Sequence, residues 1–152
     1  MFSDLLFEHE IINFSATEVL HGNAIDRIPA DLLPNIFPTL QVLQKIRTAI
    51  KTPIIIISSF RTKEHNLSVG GKPNSLHLVF NAIDFSVPAY SHNELIRLHS
   101  QILARKFAHL CFFNEQPIMV TPNLMGIGLY KTFIHIDTRG LLGRPSPALW
   151  LG

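Results

Sequence analysis

The chain has 152 residues, 47% of them hydrophobic and 16% charged, and a formal net charge of +2 at pH 7. This composition excludes a disordered chain, and the length predicts a single domain over residues 1–152 with a hydrophobic core of its own. The lysines and arginines are scattered along the chain rather than grouped in a basic stripe, which argues against a nucleic-acid partner. The one cysteine, Cys111, excludes an internal disulfide.

The N-terminal residues MFSDLLFEHEII lack the basic segment that opens a signal peptide, and acidic residues interrupt their apolar pattern. No uncharged apolar run is long enough to cross a bilayer. We therefore expect a chain that is synthesised in the cytoplasm without a signal peptide and has no membrane span. Action outside that compartment would then require release by another factor. Separately, we expect the chain to be a monomer.

Two helices and a strand are predicted in the first part of the chain. Ser15 stands three residues before Glu18, a capping-box spacing that predicts a short helix ended by Gly22. A second helix is expected to begin near Pro38, because apolar residues recur there at helical spacing. These residues are Leu40, Leu43, Ile46 and Ile50. The segment TPIIIISSF, with its run of isoleucines, predicts a strand buried on both faces.

The segment NAIDFSV alternates between the two faces of a predicted strand. One face carries Ile83, Phe85 and Val87, and the other carries Ala82, Asp84 and Ser86. The carboxylate of Asp84 therefore need not point into the apolar core. A helix is predicted over the following segment, SHNELIRLHSQILARK, because Ser91 and Glu94 have the spacing of a second capping box.

Short strands complete the predicted order of elements. HLCFF and PIMV are each expected to form one, and GIGLYKTFIHIDT is predicted as a single strand that starts at its glycines. In that strand Phe133, His135 and Asp137 share a face. The C-terminal residues after it, which are rich in glycine and proline, are expected to be irregular. The predicted fold class is α+β, a small mainly antiparallel sheet with N-terminal and crossover helices packed on it.

Four polar groups are expected to converge on the sheet face opposite the aliphatic side chains. Asp84 lies on one predicted strand, His135 and Asp137 lie on another, and His77 comes just before the first. A catalytic zinc site takes three protein ligands from histidine and carboxylate and keeps a fourth position for water. His77, Asp84 and His135 would satisfy that number on the sheet face. Spacing alone leaves a chance pairing open, because the chain has eight histidines and eleven acidic residues.

Two longer segments, SSFRTKEHNLSVGGKPNSLHLVFNAIDF and GIGLYKTFIHIDTRG, contain these residues in a specific order. Together they resemble the zinc D-Ala-D-Ala carboxypeptidase family, peptidase family M15, in its branch of small single-domain phage and bacterial enzymes. The family's motif S-x-H-x-x-G-x-A-x-D corresponds to Ser75, His77, Ala82 and Asp84, and its closing F-V-H-x-D strand corresponds to residues 133–137. The resemblance covers roughly residues 15 to 140, nearly the whole chain.

This resemblance implies a zinc-dependent hydrolase that cuts peptide bonds of peptidoglycan stem peptides, including bonds to D-amino acids, as a carboxypeptidase or an endopeptidase. Its substrate would be peptidoglycan or muropeptides. The Zn²⁺ ligands that it implies are His77, Asp84 and His135. Arg61 is then expected beside the substrate, where its guanidinium holds a carboxylate or stabilises the developing oxyanion. Ser75 and Tyr130 are expected to contact the substrate, with a packing role as the alternative for Tyr130.

Two departures from the family pattern affect the expected chemistry. Phe80 replaces the glycine of the motif, and its bulky side chain is expected to narrow the approach to the metal. Thr132 stands where several of these peptidases carry an acidic general base, and a threonine cannot take a proton from water at neutral pH. Asp137 is the best substitute, either as the base or as an acceptor that orients a histidine ligand, and Glu115 is a more distant candidate.

The same departures leave a second function open. A module of this fold that keeps zinc for stability, and that binds or has a structural role without hydrolysis, would tolerate both Phe80 and Thr132. Zinc content alone does not separate this module from an enzyme, whereas analysis of the products formed from muropeptides does.

Overall fold

The computed structural model describes residues 1–152. It contains five α-helices and five short 3₁₀ helices, and capping residues mark where two of the α-helices begin. Its α-helices are α1 (Phe2–Glu8), α2 (Ala16–Leu20), α3 (Phe37–Ile50), α4 (Lys63–Ser68) and α5 (His92–Leu103). Short 3₁₀ helices span Ile25–Arg27, Leu33–Ile36, Leu76–Val79, Pro122–Leu124 and Arg139–Leu142. The capping boxes predicted at Ser15 and Ser91 are both formed, closed by Glu18 and Glu94, and they start α2 and α5. No helix has the length and apolar character needed to cross a membrane.

Seven strands form two sheets. They are β1 (Ile55–Ser58), β2 (Ala82–Ser86), β3 (His109–Phe113), β4 (Gln116–Val120), β5 (Gly126–Leu129), β6 (Ile134–Asp137) and β7 (Ala148–Leu151). β3 and β4 form a separate hairpin, and the other five strands are ordered β1-β2-β6-β5-β7. All neighbours in this larger sheet are antiparallel except β5 and β7. The expected α+β class with a mainly antiparallel sheet is therefore confirmed.

Helices cover one face of the five-stranded sheet. The buried side chains of α3 join those of the central strands in a cluster of 29 buried apolar residues. From β2 this cluster includes Ile83 and Phe85, as the alternation predicts, and from β6 it includes Ile134 and Ile136. Removing apolar surface from water contributes ~25 cal/mol per Å², so this cluster is the main source of stability. The opposite face is left for the polar residues of the same two strands.

The strand predicted from TPIIIISSF is not buried on both faces. β1 lies at the edge of the sheet, where Ile56 is 4% exposed but Ile55 and Ile57 are 50% and 37% exposed. The prediction was wrong because a run of β-branched residues indicates strand propensity and not the position of the strand in the sheet. An edge strand that helices cover on one side alternates between buried and exposed side chains.

The segment GIGLYKTFIHIDT forms two strands rather than one. β5 and β6 are joined by a tight turn in which the Tyr130 amide donates to the Phe133 carbonyl oxygen at 2.9 Å. The C-terminal residues are not irregular throughout either, since β7 pairs in parallel with β5. Strands of four residues show too little alternation to be recognised by pattern alone. The pairing of β7 with β5 matters for the polar face, because β7 carries Trp150.

Phe80 points into the core and not toward the polar face. Its side chain is fully buried, and its ring packs edge-on against Phe60 with the centroids 6.0 Å apart and lies 6.4 Å from the ring of Phe2. The expectation that Phe80 narrows the approach to a metal is therefore wrong. The backbone at Phe80 has φ +54°, the left-handed region that glycine enters without steric cost. This conformation explains a glycine in the motif, and burial of the ring offsets its cost in this chain.

Two substitutions of Phe80 test this explanation by their order of stability. Phe80→Ala is expected to lower the free energy of unfolding by about 3–5 kcal/mol, because it leaves a cavity in the core. Phe80→Gly removes the same side chain but relieves the left-handed backbone, so we expect it to be about 1 kcal/mol more stable than Phe80→Ala. Urea unfolding followed by circular dichroism measures both. A glycine variant less stable than the alanine variant would contradict the role of the backbone.

Candidate metal centre

A row of residues crosses the polar face of the five-stranded sheet. The strand register aligns Asp84 of β2 with His135 of β6, His135 with Gly128 of β5, and Gly128 with Trp150 of β7. Ser58 of β1 extends the row beyond Asp84. Residues in register on one face lie side by side, so the row places a carboxylate next to an imidazole and brings an indole close to both.

His77 joins this row from outside the sheet. It lies in the 3₁₀ helix Leu76–Val79, and Ser75 caps that helix by accepting a hydrogen bond from the His77 amide at 3.3 Å. Nε2 of His77 lies 3.1 Å from Oδ2 of Asp84, and Nδ1 of His135 lies 2.7 Å from Oδ1. All three side chains are buried, and one ligand atom from each lies within 4.8 Å of the others. The structure thus brings together the three residues predicted as zinc ligands.

The surroundings of His77 fit a bound cation. Its Nδ1 contacts the carbonyl oxygen of Ser59, which can only accept, so Nδ1 carries the proton and Nε2 presents a lone pair. Nε2 is buried and has no hydrogen-bond partner, despite its short distance to Asp84. An unpartnered buried polar atom costs free energy, and a metal ion held also by Asp84 and His135 would remove that cost. Two imidazoles and a carboxylate are a donor set that suits Zn²⁺.

The charges of Asp84 and His135 support each other. Burial by itself raises the pKa of the Asp84 carboxyl, but the hydrogen bond with His135 and the approach of His77 outweigh it and hold that pKa below its ordinary value. Burial by itself lowers the pKa of His135, but the hydrogen bonds to Asp137 and Asp84 outweigh it and raise that pKa. Asp84 is therefore ionised at neutral pH, which is the form that binds a cation.

Asp137 is fully buried beside His135. Its Oδ2 accepts hydrogen bonds from Nε2 of His135 at 2.8 Å and from Nη2 of Arg139 at 2.7 Å. Its Oδ1 accepts from Nε of Arg139 at 2.9 Å, from the Gly126 amide at 2.9 Å and from the Arg139 amide at 3.1 Å. Burial raises the pKa of Asp137, but the hydrogen bonds from Arg139 and His135 outweigh it and hold that pKa below its ordinary value. Both carboxylate oxygens are therefore occupied by donors.

A cleft of about 590 Å³ opens over the three predicted ligands. The residues predicted to contact substrate all line it, namely Arg61, Ser75 and Tyr130. Arg61 is held by two hydrogen bonds, from Nε to Ser58 Oγ at 3.0 Å and from Nη2 to Asp84 Oδ2 at 3.1 Å. The structure therefore brings the predicted substrate contacts to the same opening as the predicted ligands.

Sequence reasoning missed Trp150, which lines the cleft beside Tyr130. The ring of Trp150 lies 4.9 Å from that of His135, and its Nε1 donates to Oη of Tyr130 at 2.9 Å. Gly128 makes room for the indole of Trp150, since a Cβ atom at residue 128 would lie 2.4 Å from atoms of that ring. The available signals were the alternating glycines of GIGL and the only tryptophan of the chain. Local pattern could not join them, because residues 128 and 150 meet only through the pairing of β5 with β7.

Thr132, at the position of the family's general base, and Glu115, the more distant candidate for that role, both lie away from the cleft. Thr132 is exposed in the turn between β5 and β6, and Glu115 is exposed in the turn between β3 and β4. Neither lines the cleft, and Asp84 is the only carboxylate-bearing residue that does. The cleft lining therefore offers no second carboxylate for proton transfer.

Most of the chain matches a family of known proteins. A family model described as Peptidase M15 matches residues 7–137. The matched range contains all three predicted ligands and ends at Asp137, so that β7 and Trp150 lie outside it. No curated protein matches the chain.

Proposed function

The chain belongs to peptidase family M15, a family of metallopeptidases, and from this premise we propose that it is a zinc peptidase of peptidoglycan stem peptides. It would cut bonds that involve D-amino acids, as a carboxypeptidase or an endopeptidase. The observation that carries the proposal is the buried, unpartnered Nε2 of His77 beside Asp84 and His135. A catalytic zinc site also needs an open side for water and substrate, and the cleft supports that requirement.

In this proposal the ion is held by Nε2 of His77, a carboxylate oxygen of Asp84 and Nδ1 of His135. A zinc ion held by these residues would supply Lewis acidity to a water molecule and to the carbonyl group of the scissile bond. The chain's own contribution is to hold the ligands still. Ser59 orients the ring of His77, and Asp137 orients the ring of His135. Ligands that are oriented before the ion binds lose little freedom when it does.

Arg61 is proposed to act on the reacting group of the substrate. Its Nε and Nη2 are anchored to Ser58 and Asp84, while Nη1 makes no hydrogen bond within the chain. The guanidinium is therefore held at the wall of the cleft with donors free. A cation held in this way stabilises negative charge that develops on a carbonyl oxygen, or binds a carboxylate of the substrate.

Ser75 and Tyr130 are proposed as further hydrogen-bond donors to the substrate. Oη of Tyr130 accepts a hydrogen bond from Trp150, which leaves its own proton free to donate. Oγ of Ser75 accepts from the His77 amide and keeps its proton in the same way. Both residues line the cleft, where carbonyl oxygens of a bound peptide would meet these donors.

For Asp137 we propose the orienting role rather than that of the general base. A general base must come within hydrogen-bond reach of the proton that it takes, and its pKa should be near the working pH. The Asp137 carboxylate does not line the cleft, is already bound by Arg139 and His135, and has a pKa held below its ordinary value. Its hydrogen bond to Nε2 of His135 leaves Nδ1 to face Asp84.

Hydrolysis of muropeptides tests the proposed function. The zinc-loaded protein is expected to cut stem peptides, because its ligands and its cleft meet the needs of metal-assisted hydrolysis. Mass spectrometry of the products identifies which bond is cut. The His77→Ala variant, purified in the same way, is the control for a contaminating peptidase. If muropeptides that contain both D-Ala-D-Ala and L-Ala-D-Glu bonds yield no product, the enzymatic function is contradicted.

One observation favours a second candidate function, a zinc-stabilised binding module without hydrolysis. Asp84 is the only carboxylate-bearing residue lining the cleft, so a general base is missing from its wall. A module of this kind would bind zinc and would bind muropeptides without releasing products. Zinc content measured together with product analysis separates the two functions.

A further inference from the structure

A second cavity, of about 540 Å³, adjoins the cleft on the side of the C-terminal segment. The two openings share Asn74, Leu76, Arg139 and Ala148 among their lining residues. Most of the wall of the second cavity comes from residues beyond 137, outside the range that the peptidase family model matches. A peptide bound over the predicted ligands would therefore lie next to a cavity whose lining belongs largely to this chain's own C-terminal segment.

Two arginines are the only charged residues that line this second cavity, and no acidic residue lines it. Arg139 is paired with Asp137 through Nε and Nη2. Arg144 forms no ion pair, and its Nη1 donates to the carbonyl oxygen of Asn74 at 2.7 Å. Nε and Nη2 of Arg144, and Nη1 of Arg139, make no hydrogen bond within the chain. Two guanidinium groups are thus held in place with free donors, and the charge of Arg144 is uncompensated.

Positively charged side chains also outnumber carboxylates in the adjoining cleft. Arg61 and Lys72 line it, and Asp84 is the one residue of its lining that carries a carboxylate. A bound metal ion at the predicted ligands would add further positive charge. A cleft lined mainly by one sign of charge raises the local concentration of ligands of the opposite sign. The joined cavities are therefore suited to an anionic peptide.

We propose that the second cavity is a subsite for a carboxylate of the substrate peptide, bound by Arg144 with Arg139 beside it. The inference rests on the proposed function, in which the substrate is a stem peptide. Guanidinium groups bind carboxylates through paired N–H donors, and one that is already anchored loses less freedom on binding. The subsite selects stem peptides that carry a free carboxylate away from the scissile bond over peptides amidated at that position.

Amidation of one carboxylate at a time tests the subsite. In a synthetic stem pentapeptide with lysine as its third residue, the two carboxylates are the α-carboxylate of D-glutamate and the C-terminal one. Each is replaced in turn by a carboxamide, and kcat/KM is measured with the zinc-loaded protein. At one of these positions we expect kcat/KM of the wild type to be about tenfold higher for the acid peptide than for the amidated peptide. In Arg144→Gln the ratio of the two kcat/KM values should fall to near one. Arg144→Lys keeps the charge without the paired donors and should keep part of the preference.

Exposed Arg97 on α5 provides the matched control, and Arg97→Gln is expected to keep the full preference for the acid. Thermal unfolding of each variant shows whether it is folded. If no amidation affects the wild type and Arg144→Gln differently, the subsite is overturned.

Calorimetric binding of the same peptides to the zinc-free protein separates this outcome from failure of the proposed function. If the zinc-free protein binds the acid peptide more tightly in an Arg144-dependent way, and the zinc-loaded protein hydrolyses neither peptide, the subsite is supported and the peptidase function is overturned. Hydrolysis without such a preference supports the function and overturns the subsite. Inorganic phosphate is titrated as a competitor in the same experiment. If phosphate weakens the binding of the acid peptide and of the amidated peptide equally, and does so only when Arg144 is present, the assignment to a substrate carboxylate is overturned.

Discussion

The His77→Ala variant is expected to bind zinc on the order of a thousandfold more weakly than the wild type, because binding free energies of about 10–16 kcal/mol are shared among few ligands. The substitution removes the buried Nε2 atom that has no other partner. Hydrolysis of muropeptides should fall with the zinc content. Zinc at a thousandfold excess over the wild-type dissociation constant should stabilise the wild type by about 4 kcal/mol but should stabilise the half-saturated variant by only about 0.4 kcal/mol. Metal analysis and thermal unfolding with and without zinc measure these effects.

Fluorescence gives an independent measure of the same binding event. Trp150 is the only tryptophan of the chain, and its ring lies 4.9 Å from that of His135. At about ten times the wild-type dissociation constant, zinc is therefore expected to change the emission of the wild type and to leave that of His77→Ala nearly unchanged. Exposed His65 of α4 provides the matched control, and His65→Ala should bind zinc as the wild type does. Normal zinc content in His77→Ala would show that His77 is not a ligand.

The Asp137→Asn variant is expected to lose about 10- to 100-fold in zinc affinity, while its turnover at saturating zinc stays close to that of the wild type. The amide has the same size as the carboxylate but cannot serve both His135 and Arg139 as a charged acceptor. The ring of His135 then loses its fixed orientation. Zinc titration against a chelator, combined with rates of muropeptide hydrolysis across zinc concentrations, measures both quantities.

The opposite result would identify Asp137 as the general base. In that case zinc affinity stays unchanged, and turnover is lost at every zinc concentration. Glu115→Gln is the matched control, because Glu115 lies in the exposed turn between β3 and β4 and does not line the cleft. It is expected to change neither zinc affinity nor turnover.

Features that depend on residues a few positions apart were predictable from the sequence. The two capping boxes start α2 and α5 where Ser15 and Ser91 indicated. The alternation in NAIDFSV correctly separated Asp84 from the core residues Ile83 and Phe85. Helix caps and strand faces are set by the backbone geometry of a single segment, so their signals are local.

Features that depend on neighbours in space were not predictable in this way. The exposure of Ile55 and Ile57 follows from the position of β1 at the edge of the sheet. The direction of Phe80 follows from a left-handed backbone that no residue pattern indicated. Trp150 reaches the cleft only because β7 pairs with β5.

The sequence by itself determined which side chains share a face and which three residues are candidates to hold a metal, because both follow from spacing and from motif. Only the tertiary structure decided which nitrogen of each histidine faces Asp84, and that both oxygens of Asp137 are already occupied. The physical reason is that these contacts join distant parts of the chain: His135 and Asp84, 51 residues apart, become neighbours when β6 pairs with β2. Hydrogen-bond partners at such separations are chosen by strand register and packing, which no local periodicity encodes.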